Sequence, residues 1–372
     1  MDLSTLTENF NRDVPIDTFK SLIWTERYAS EGDFVLTIED TPANRANFPE
    51  GRFLGIQQSR EVMIVEIVEA EDGILTISGP SLSGFLRQRM ARDTWSNGYT
   101  YWPLTGAPGW IAAEIVKQMC VVGNGLLMDD NYVLTNGAPE LIPYLEIGPT
   151  ASGSSVQIGV EYSDVYTAVK TVCDAYGLGF ALYPSDITPT THKLIFTTYE
   201  GRDLTSAQDT YDVVRFEPAL DSLVGMKEFR SIAGYKNVAY SWAPNIVAQN
   251  YFVGKAYAPG TSDSTIGFKR RTLMVLAEDI NDADVVNGAA QLNAILLQRA
   301  KDALANNNYV RLADGQIVPQ SGYDYGTHFS LGDIIELRAS SGLPSLARVS
   351  EFIRTQDGTG YKAYPTLSVI SE

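Results

Sequence analysis

The C-terminal part of the chain contains the sequence Tyr323-Asp324-Tyr325-Gly326-Thr327-His328-Phe329-Ser330-Leu331-Gly332-Asp333-Ile334-Ile335-Glu336-Leu337. An apolar strand follows Gly332-Asp333, and turn residues come next at Ser341-Gly342 and again at Asp357-Gly358-Thr359-Gly360. Two reversals separated by strand-like residues predict a β-meander of three strands. The residue types of this stretch do not suggest a catalytic group.

The length and the apolar content of the chain indicate a folded protein with more than one domain. Its 372 residues exceed what a single core usually serves, which favours two or three domains. An apolar fraction of 44% with 10% aromatic residues is typical of a well-packed protein. The apolar runs are far shorter than the roughly 18–20 residues of a membrane span, so no span is predicted. The N-terminus, Met1-Asp2-Leu3-Ser4-Thr5, lacks the features of a signal peptide, which predicts synthesis in a cytoplasm.

The charge of the chain argues against stable binding of nucleic acids. It contains 28 basic and 45 acidic residues, a formal net charge of −17. Nucleic-acid binding depends first on clustered lysine and arginine that neutralise phosphates. One basic cluster, Arg87, Arg89 and Arg92, has helical spacing. We interpret it as a solvated helix face or as an inter-subunit salt-bridge face.

Few residues are suited to metal binding or nucleophilic catalysis. Cys120 and Cys173 are expected to be buried free thiols, and their spacing gives no support for a disulfide. His192 and His328 are the only histidines, which excludes a His-rich metal site and restricts any His-dependent triad to these two. Both are interpreted as turn or strand-edge residues. We therefore predict no catalytic residue, no metal site and no cofactor.

Local patterns predict further hairpins and helices. Hairpins are expected from residues 21–27 with 33–38, from 62–68 with 74–77 and from 180–183 with 193–198, and strands at 224–229 and 237–242. Helices are expected at 82–91 and 108–119, after a cap at Ser163, and at 282–305 after a cap at Asp282 or Asp284. The last of these has an apolar stripe, and we expect it to share one core with the strand at 334–337.

An aromatic loop at residues 94–103 is the main candidate for a contact surface. The candidate subunit or receptor contacts are Trp95, Tyr99, Tyr101, Trp102 and Trp110. Aromatic rings can stack on sugars, and they can equally supply buried area to a packing or subunit contact. We favour the contact interpretation because paired carboxylates and amides do not accompany the tryptophans.

Several motifs occur in an order that resembles a known family. They are Trp24-Thr25-Glu26-Arg27-Tyr28 with Gly32 and Phe34, Gly177-Leu178-Gly179-Phe180, Gly201-Arg202-Asp203, Lys236-Asn237-Val238-Ala239-Tyr240, Leu331-Gly332-Asp333, Arg348 and Pro365-Thr366. Together they resemble the motifs of siphophage tail-tip or baseplate hub proteins of the minor tail protein family, which are similar to the central hubs of contractile-tail baseplates and type VI spikes. His328 departs from this pattern, because an acidic or polar residue is expected there.

The resemblance implies a mainly β fold with α insertions (α+β), built of two hub-type β-barrels and a small helix-and-hairpin domain. We place the first barrel at residues 1–80, a helical and aromatic-loop insertion at 81–150, the small α/β domain at 151–213 and the second barrel, with a long helix, at 214–372. The resemblance also implies a homotrimer at the virion tail tip. Its expected partners are the distal tail protein ring, the C-terminus of the tape measure protein and a central fibre or spike, with transient passage of DNA.

Three functions remain open at this point. The first is a structural hub without enzymatic activity. The second is a tail-associated wall hydrolase, for which the many carboxylates could supply an acid and base pair. The third is a protein that binds a host receptor or glycan through the five aromatic residues. We favour the hub, because no pair of acidic residues stands out and the length leaves no room for an appended lytic domain.

Overall fold

The computed structural model describes residues 1–91, 101–123, 125–128, 134–137, 140–188, 190–246, 253–307, 310–317, 322–338 and 344–370. In the first half of the chain the strands are β1 Leu3–Leu6, β2 Arg12–Ile16, β3 Ser21–Arg27, β4 Asp33–Glu39, β5 Phe53–Ile56, β6 Val62–Ile64, β7 Ile67–Glu71, β8 Ile74–Pro80, β9 Met90–Ala91, β10 Trp102–Gly106, β11 Gly125–Met128, β12 Leu134–Gly137, β13 Leu145–Ile147, β14 Val156–Val160, β15 Ser163–Asp164, β16 Gly179–Ser185 and β17 Lys193–Tyr199.

In the second half the strands are β18 Arg215–Phe216, β19 Leu223–Ser231, β20 Val238–Trp242, β21 Val253–Tyr257, β22 Thr272–Leu276, β23 Val310–Ile317, β24 Ile334–Arg338, β25 Pro344–Asp357 and β26 Gly360–Ile370. The α-helices are α1 Pro42–Asn47, α2 Pro108–Val116, α3 Val165–Tyr176 and α4 Asp282–Ala305. Single-turn and 3₁₀ segments lie at Leu82–Gln88, Pro218–Leu220 and Gly267–Lys269, and a π-helical segment, Lys117–Val122, continues α2. The mainly β composition with α insertions agrees with the predicted class.

The three strands of the predicted C-terminal meander are present, and they join the N-terminal hairpin in one sheet. The predicted turn at Ser341-Gly342 lies outside the described residues. β24, β25 and β26 pair in sequence, and β25 also pairs with β3. Because β26 follows one edge of β25 along most of its length, β24 and β3 must share the opposite edge. The eight-stranded sheet has the order β18-β24-β25-β3-β4-β8-β7, with β26 paired to β25 beside this path. The first and last parts of the chain are thus held together by a backbone ladder.

The N-terminal strands form two packed sheets. The β2-β1-β5-β6 sheet covers the β3, β4 and β8 part of the large sheet, and their shared core contains Trp24, Phe34 and Leu36. The predicted 21–38 hairpin is confirmed. The predicted 62–68 strand divides instead, since β6 pairs with β5 while β7 pairs with β8. The described strands belong to several separate sheets, so the two predicted closed barrels are not confirmed.

The middle of the chain packs α2 and α3 against the β13-β17-β16 sheet around one large apolar core. α3 ends at Gly177 as predicted, with a φ of 64°. Its N-cap is Asp164 and not Ser163, because the Asp164 carboxylate accepts the Thr167 N–H. The predicted 82–91 helix is a 3₁₀ segment followed by β9. Cys120 and Cys173 are buried free thiols, as expected.

α4 packs on the small β21-β20-β22 sheet, which corrects the prediction about its core. Leu292 and Leu296 lie in a core with Tyr101 and Ile280, whereas Ile335 of β24 lies in a different core. The helix approaches β21 closely at Gly254. A Cβ atom at this glycine would lie 2.1 Å from the carbonyl carbon of Leu296. The apolar stripe of α4 therefore covers its own neighbouring sheet and not the C-terminal meander.

We expect the Gly254→Ala variant to lose about 1–3 kcal/mol of its free energy of unfolding, because the added methyl group must displace the α4 backbone. Urea denaturation measures the loss. Gly234→Ala is the matched control, since nothing lies within 4 Å of a Cβ atom there. Equal stability of the two variants would contradict the close packing of α4 on β21.

Candidate functional site

The motif segments of the sequence meet around the side chain of Tyr28, at the end of β3. The buried Tyr28 hydroxyl lies 3.0 Å from the Gly177 carbonyl oxygen and 3.1 Å from that of Tyr199, and it accepts the Gly201 N–H at 3.2 Å. Burial raises the pKa of this hydroxyl, which keeps it protonated as a donor. One side chain thus binds the end of α3, the end of β17 and the segment that follows.

Two glycines make room for the Tyr28 ring. A Cβ atom at Gly179 would lie 2.4 Å from the ring, and one at Gly332 would lie 2.1 Å from it. Gly332 also has a φ of 88°, a conformation that favours glycine. The glycines of two separate motifs are therefore required by one aromatic ring. We call Tyr28, Gly177, Gly179, Gly201 and Gly332 the Tyr28 junction.

Backbone and cationic contacts complete the Tyr28 junction. The Tyr28 N–H donates to the Ser350 carbonyl oxygen at 2.9 Å, and the Phe180 N–H donates to the Tyr28 carbonyl oxygen at 3.1 Å. The Arg348 guanidinium lies 5.1 Å from the ring centroid and donates to the Gly332 carbonyl oxygen at 2.9 Å. Strand β3, the α3 region and the C-terminal meander are therefore fixed to one another here.

A salt bridge beside the junction explains two more motif residues. Arg202 Nη2 lies 2.6 Å from Asp333 Oδ2, and the Arg202 N–H donates to Asp333 Oδ1 at 2.7 Å. Asp333 is almost completely buried and also accepts the Ser330 N–H at 2.8 Å. The hydrogen bond to Asp333 raises the pKa of Arg202. The Gly-Arg-Asp and Leu-Gly-Asp motifs are thus bound directly to each other.

A second, fully buried ion pair joins β3 to β25. Arg354 donates to the Glu26 carboxylate, and only 4% and 7% of the two residues is exposed. The ring of Tyr325 stacks on Phe352 at 3.7 Å and lies next to the Arg354 guanidinium. Charges at this depth are tolerated only when they are paired. Loss of one partner should therefore be costly.

These charged groups line a cleft of about 750 Å³ between the N-terminal sheets, the small α/β region and the C-terminal strands. We call it the charged cleft; its lining includes Glu26, Arg60, Glu61, Arg202 and Arg354. Glu61 is only half-buried as a residue, but its Oε2 atom is inaccessible and accepts no hydrogen bond from a described residue. Burial and the neighbouring Glu26 raise the pKa of Glu61 to about 8. A protonated Glu61 can lie next to Glu26 without repulsion.

The histidines have packing and turn roles. His192 contacts the rings of Phe10 and Tyr144, and His328 Nδ1 accepts the Asp324 N–H at 2.8 Å. Across the described ranges, no group of three or more His, Cys, Asp or Glu side chains is arranged to hold a metal ion. No helix in the described part of the chain has the length and apolarity to cross a membrane.

The five candidate contact residues do not form one surface. Trp95 and Tyr99 lie outside the described residues. Tyr101 is buried against α4, and Trp102 is buried in the core of the α2 and α3 region. Trp110 is 41% exposed and covers Gly106, where a Cβ atom would lie 2.4 Å from the indole. Packing accounts for Tyr101 and Trp102, and contact with a partner stays a prediction for the others.

Comparison with known proteins gives a family match over nearly the whole chain. Residues 4–367 match the family described as siphovirus ReqiPepy6 Gp37-like protein. Comparison of the sequence with curated proteins gives no match.

Solved structures of three phage tail proteins share the fold. The 43 kDa tail protein of prophage MuSo2 from Shewanella oneidensis has a TM-score of 0.53 and 14% identity, over 100% of this chain and 98% of that one. A tail protein from Neisseria meningitidis MC58 has a TM-score of 0.53 and 12% identity, over 98% and 95% of the two chains. Prophage tail protein gp18 from Listeria monocytogenes EGD-e has a TM-score of 0.53 and 10% identity, over 98% and 94%. The chain therefore belongs to the siphovirus ReqiPepy6 Gp37-like protein family, and its fold is that of phage tail proteins.

Proposed function

We propose that this protein is a structural virion protein, a trimeric tail-tip or baseplate hub. In this role it links the distal tail ring and the tail tube to a central fibre or spike, and it forms the channel through which the genome leaves. The observation that carries the proposal is the fold that this chain shares, over at least 98% of its length, with three phage tail proteins. The proposal includes no enzymatic activity.

The architecture supports a connecting role. β25 pairs with both β24 and β3, and the Arg27 guanidinium binds Glu351 of β25 at 2.6 Å. The Tyr28 junction attaches the α/β region to the same framework. A load applied at one part of the chain is therefore passed on through backbone ladders and buried side chains, which suits a protein held between a tail ring and a fibre.

The symmetry of the tail supports three copies. A closed threefold ring with two strand-rich units per chain presents six units, and each can meet one subunit of a sixfold ring. We place these units at residues 1–80 and 214–372, with residues 81–150 and 151–213 between them. The other contacts proposed for the hub are the C-terminus of the tape measure protein above and a fibre or spike below.

The charge of the chain suits a channel that DNA passes without binding. Each copy has a formal net charge of −17, so a ring of three copies has three times this charge. Acidic walls repel phosphates and leave the genome no adhesive surface. We therefore expect acidic residues to outnumber basic residues on the loops that face the channel.

One observation favours a second candidate function. Trp110 is 41% exposed, and an exposed tryptophan is suited to stacking on a sugar. The protein would then bind a host receptor or glycan. Glycan-array binding by the purified protein that is lost in Trp110→Ala would support this function in place of the hub.

We expect a reconstruction of purified tails to show this chain in three copies around the tail axis, at the end distal to the capsid. Antibody labelling of intact tails should mark the same end. Six copies, or a location only at the outer periphery, would refute the hub. A threefold ring lined mainly by lysine and arginine would leave the hub intact and refute the proposed channel. Cleavage of purified host cell wall that is lost on changing one Asp or Glu would show a hydrolase.

A further inference from the structure

Two exposed strand edges of the chain have opposite charge. The first, which we call the acidic edge, is β7 with its flanking residues and contains Glu66, Ile67, Glu69, Glu71 and Asp72. Residues 66–72 include four acidic residues and no basic residue. β7 is the last strand of the eight-stranded sheet, and none of these carboxylates is in a salt bridge with a described residue. The acidic edge therefore has one side of β7 with no partner strand among the described residues, and its charge is not compensated by a salt bridge there.

Three side chains of the acidic edge point away from the core. β7 residues Val68 and Ala70 pair with the buried Ile77 and Leu75 of β8. Since side chains alternate along a strand, Ile67, Glu69 and Glu71 lie on the outer face. Ile67 is 53% exposed. An apolar side chain between carboxylates at an unpaired edge is suited to contact with a basic, partly apolar surface.

The second surface, which we call the basic edge, consists of β22 and the segment Phe268-Lys269-Arg270-Arg271 before it. Residues 268–276 contain three basic residues and no acidic residue, in a chain whose net charge is −17. Arg270 donates to the Tyr240 hydroxyl and Arg271 to the Ile232 carbonyl oxygen, and none of the three cations is in a salt bridge within the described ranges. β22 is also the last strand of its sheet.

The basic edge has the apolar exposure of a contact surface. Phe268 is fully exposed, and Met274 and Leu276 of β22 are at least half exposed. Met274 and Leu276 lie opposite Tyr240 and Trp242 of β20, on the face of the sheet that α4 does not cover. Exposed apolar groups of this kind, next to unpaired backbone and positive charge, usually mark a site of protein interaction.

We propose that the basic edge of one copy of this chain binds the acidic edge of the next copy. Copies with a net charge of −17 repel one another, so contact between them needs a local region of opposite charge, and the basic edge supplies it. Each of β7 and β22 has five residues, so their unpaired backbone groups can form one ladder. The inference rests on the proposed hub, because it identifies the surfaces through which the ring closes.

The contact is heterologous, since it joins two different surfaces of identical chains. Contacts of this kind form rings when the rotation between copies closes. Variants of the two edges can therefore distinguish this contact from a self-complementary one. A chain without a functional basic edge and a chain without a functional acidic edge should each be unable to form a ring. A mixture of the two should form one contact and stop at a heterodimer.

The test uses two full-length double variants and light scattering coupled to size exclusion. Phe268→Asp/Lys269→Glu removes the basic edge, and Glu69→Gln/Glu71→Gln neutralises the middle of the acidic edge; all four side chains are exposed, so both variants should fold. The mutated edges of the two variants gain no attraction for each other, so the mixture can form only the one intended contact. We expect the wild-type protein to have the molecular mass of three chains and each variant alone to have the mass of one chain. An equimolar mixture of the two variants should have the mass of two chains. Glu8→Gln/Glu50→Gln, which makes the same charge change as the acidic-edge variant at exposed sites elsewhere, should keep the wild-type mass.

Cross-linking tests the same contact in assembled tails. Glu69→Cys/Lys269→Cys should give disulfide-linked dimers and trimers, while each single cysteine variant should give none. Rings that persist in both double variants, or variants that stay single when mixed, would overturn the assigned surfaces and leave the hub proposal intact. Wild-type protein that is single in solution, with no cross-links and no place on the tail axis, would overturn both.

Discussion

The Tyr28→Ala variant is expected to lose about 3–5 kcal/mol of its free energy of unfolding. The loss should be large because the ring is buried, with only 3% of the residue exposed, and because the close approach of Gly179 and Gly332 to the ring leaves a cavity that neither glycine can fill. An ordinary domain has a stability of about 5–15 kcal/mol, so the variant should be close to unfolding. Urea denaturation followed by circular dichroism measures the loss.

Tyr28→Phe is the matched control, because it keeps the ring and removes only the hydroxyl. The Gly201 N–H then loses its acceptor, and the carbonyl oxygens of Gly177 and Tyr199 lose a donor. This should cost about 1–3 kcal/mol. If Tyr28→Ala and Tyr28→Phe lose the same free energy of unfolding, packing of the ring between the three parts of the chain does not contribute to stability. That result would contradict the role proposed for the Tyr28 junction.

Hydrogen exchange separates a local effect from a global one. The Tyr28 hydroxyl binds the α3 and β17 ends to β3, so its loss should first increase exchange in the α/β region at Gly179–Ser185 and Lys193–Tyr199. The β25 and β26 ladder does not depend on the hydroxyl and should stay protected. Such a pattern would show that the Tyr28 junction couples the α/β region to the large sheet that contains β3 and β25.

The sequence predicted the local elements well, since their signals lie within a few residues. The C-terminal meander, the 21–38 hairpin and the end of α3 at Gly177 follow from turn residues and apolar spacing. The sequence predicts the cap of α3 one residue early, because Ser163 and Asp164 can both cap a helix and only the hydrogen bond to Thr167 distinguishes them.

The pairing of elements that are far apart in the chain could not be predicted from the sequence. The apolar stripe of α4 shows that one face is buried but not what covers it, so the predicted core of this helix is wrong. Gly254 contained a signal, because a glycine inside a strand often marks a close approach of another backbone. The pairing of β25 with β3 joins residues more than 300 positions apart and leaves no local trace.

The residues of the candidate site were partly visible in the motifs. Tyr28, Gly179, Arg202 and Gly332 all belong to motifs, but the order of motifs along a chain does not show that they meet at one ring. The Glu26 and Arg354 pair was missed, although a signal exists. Glu26 follows Leu22 and Trp24 at alternate positions of β3, which places a carboxylate on the buried face, and such a group needs a partner.

The Arg354→Met variant is expected to lose about 3–5 kcal/mol of its free energy of unfolding, because it leaves the Glu26 carboxylate buried and unpaired. Methionine keeps much of the side-chain volume, so a cavity contributes little to the loss. The Arg354 charge also lowers the pKa of Glu61, so its removal should raise that pKa further and leave the charged cleft with less positive charge. Urea denaturation at pH 8 measures the change.

A double variant distinguishes the unpaired charge from lost packing. In Glu26→Leu/Arg354→Met both charges are absent, so stability should return to within about 1 kcal/mol of the wild type or exceed it. A loss that persists in the double variant would show that Arg354 stabilises β25 by packing against Tyr325 and Phe352 instead of by neutralising Glu26.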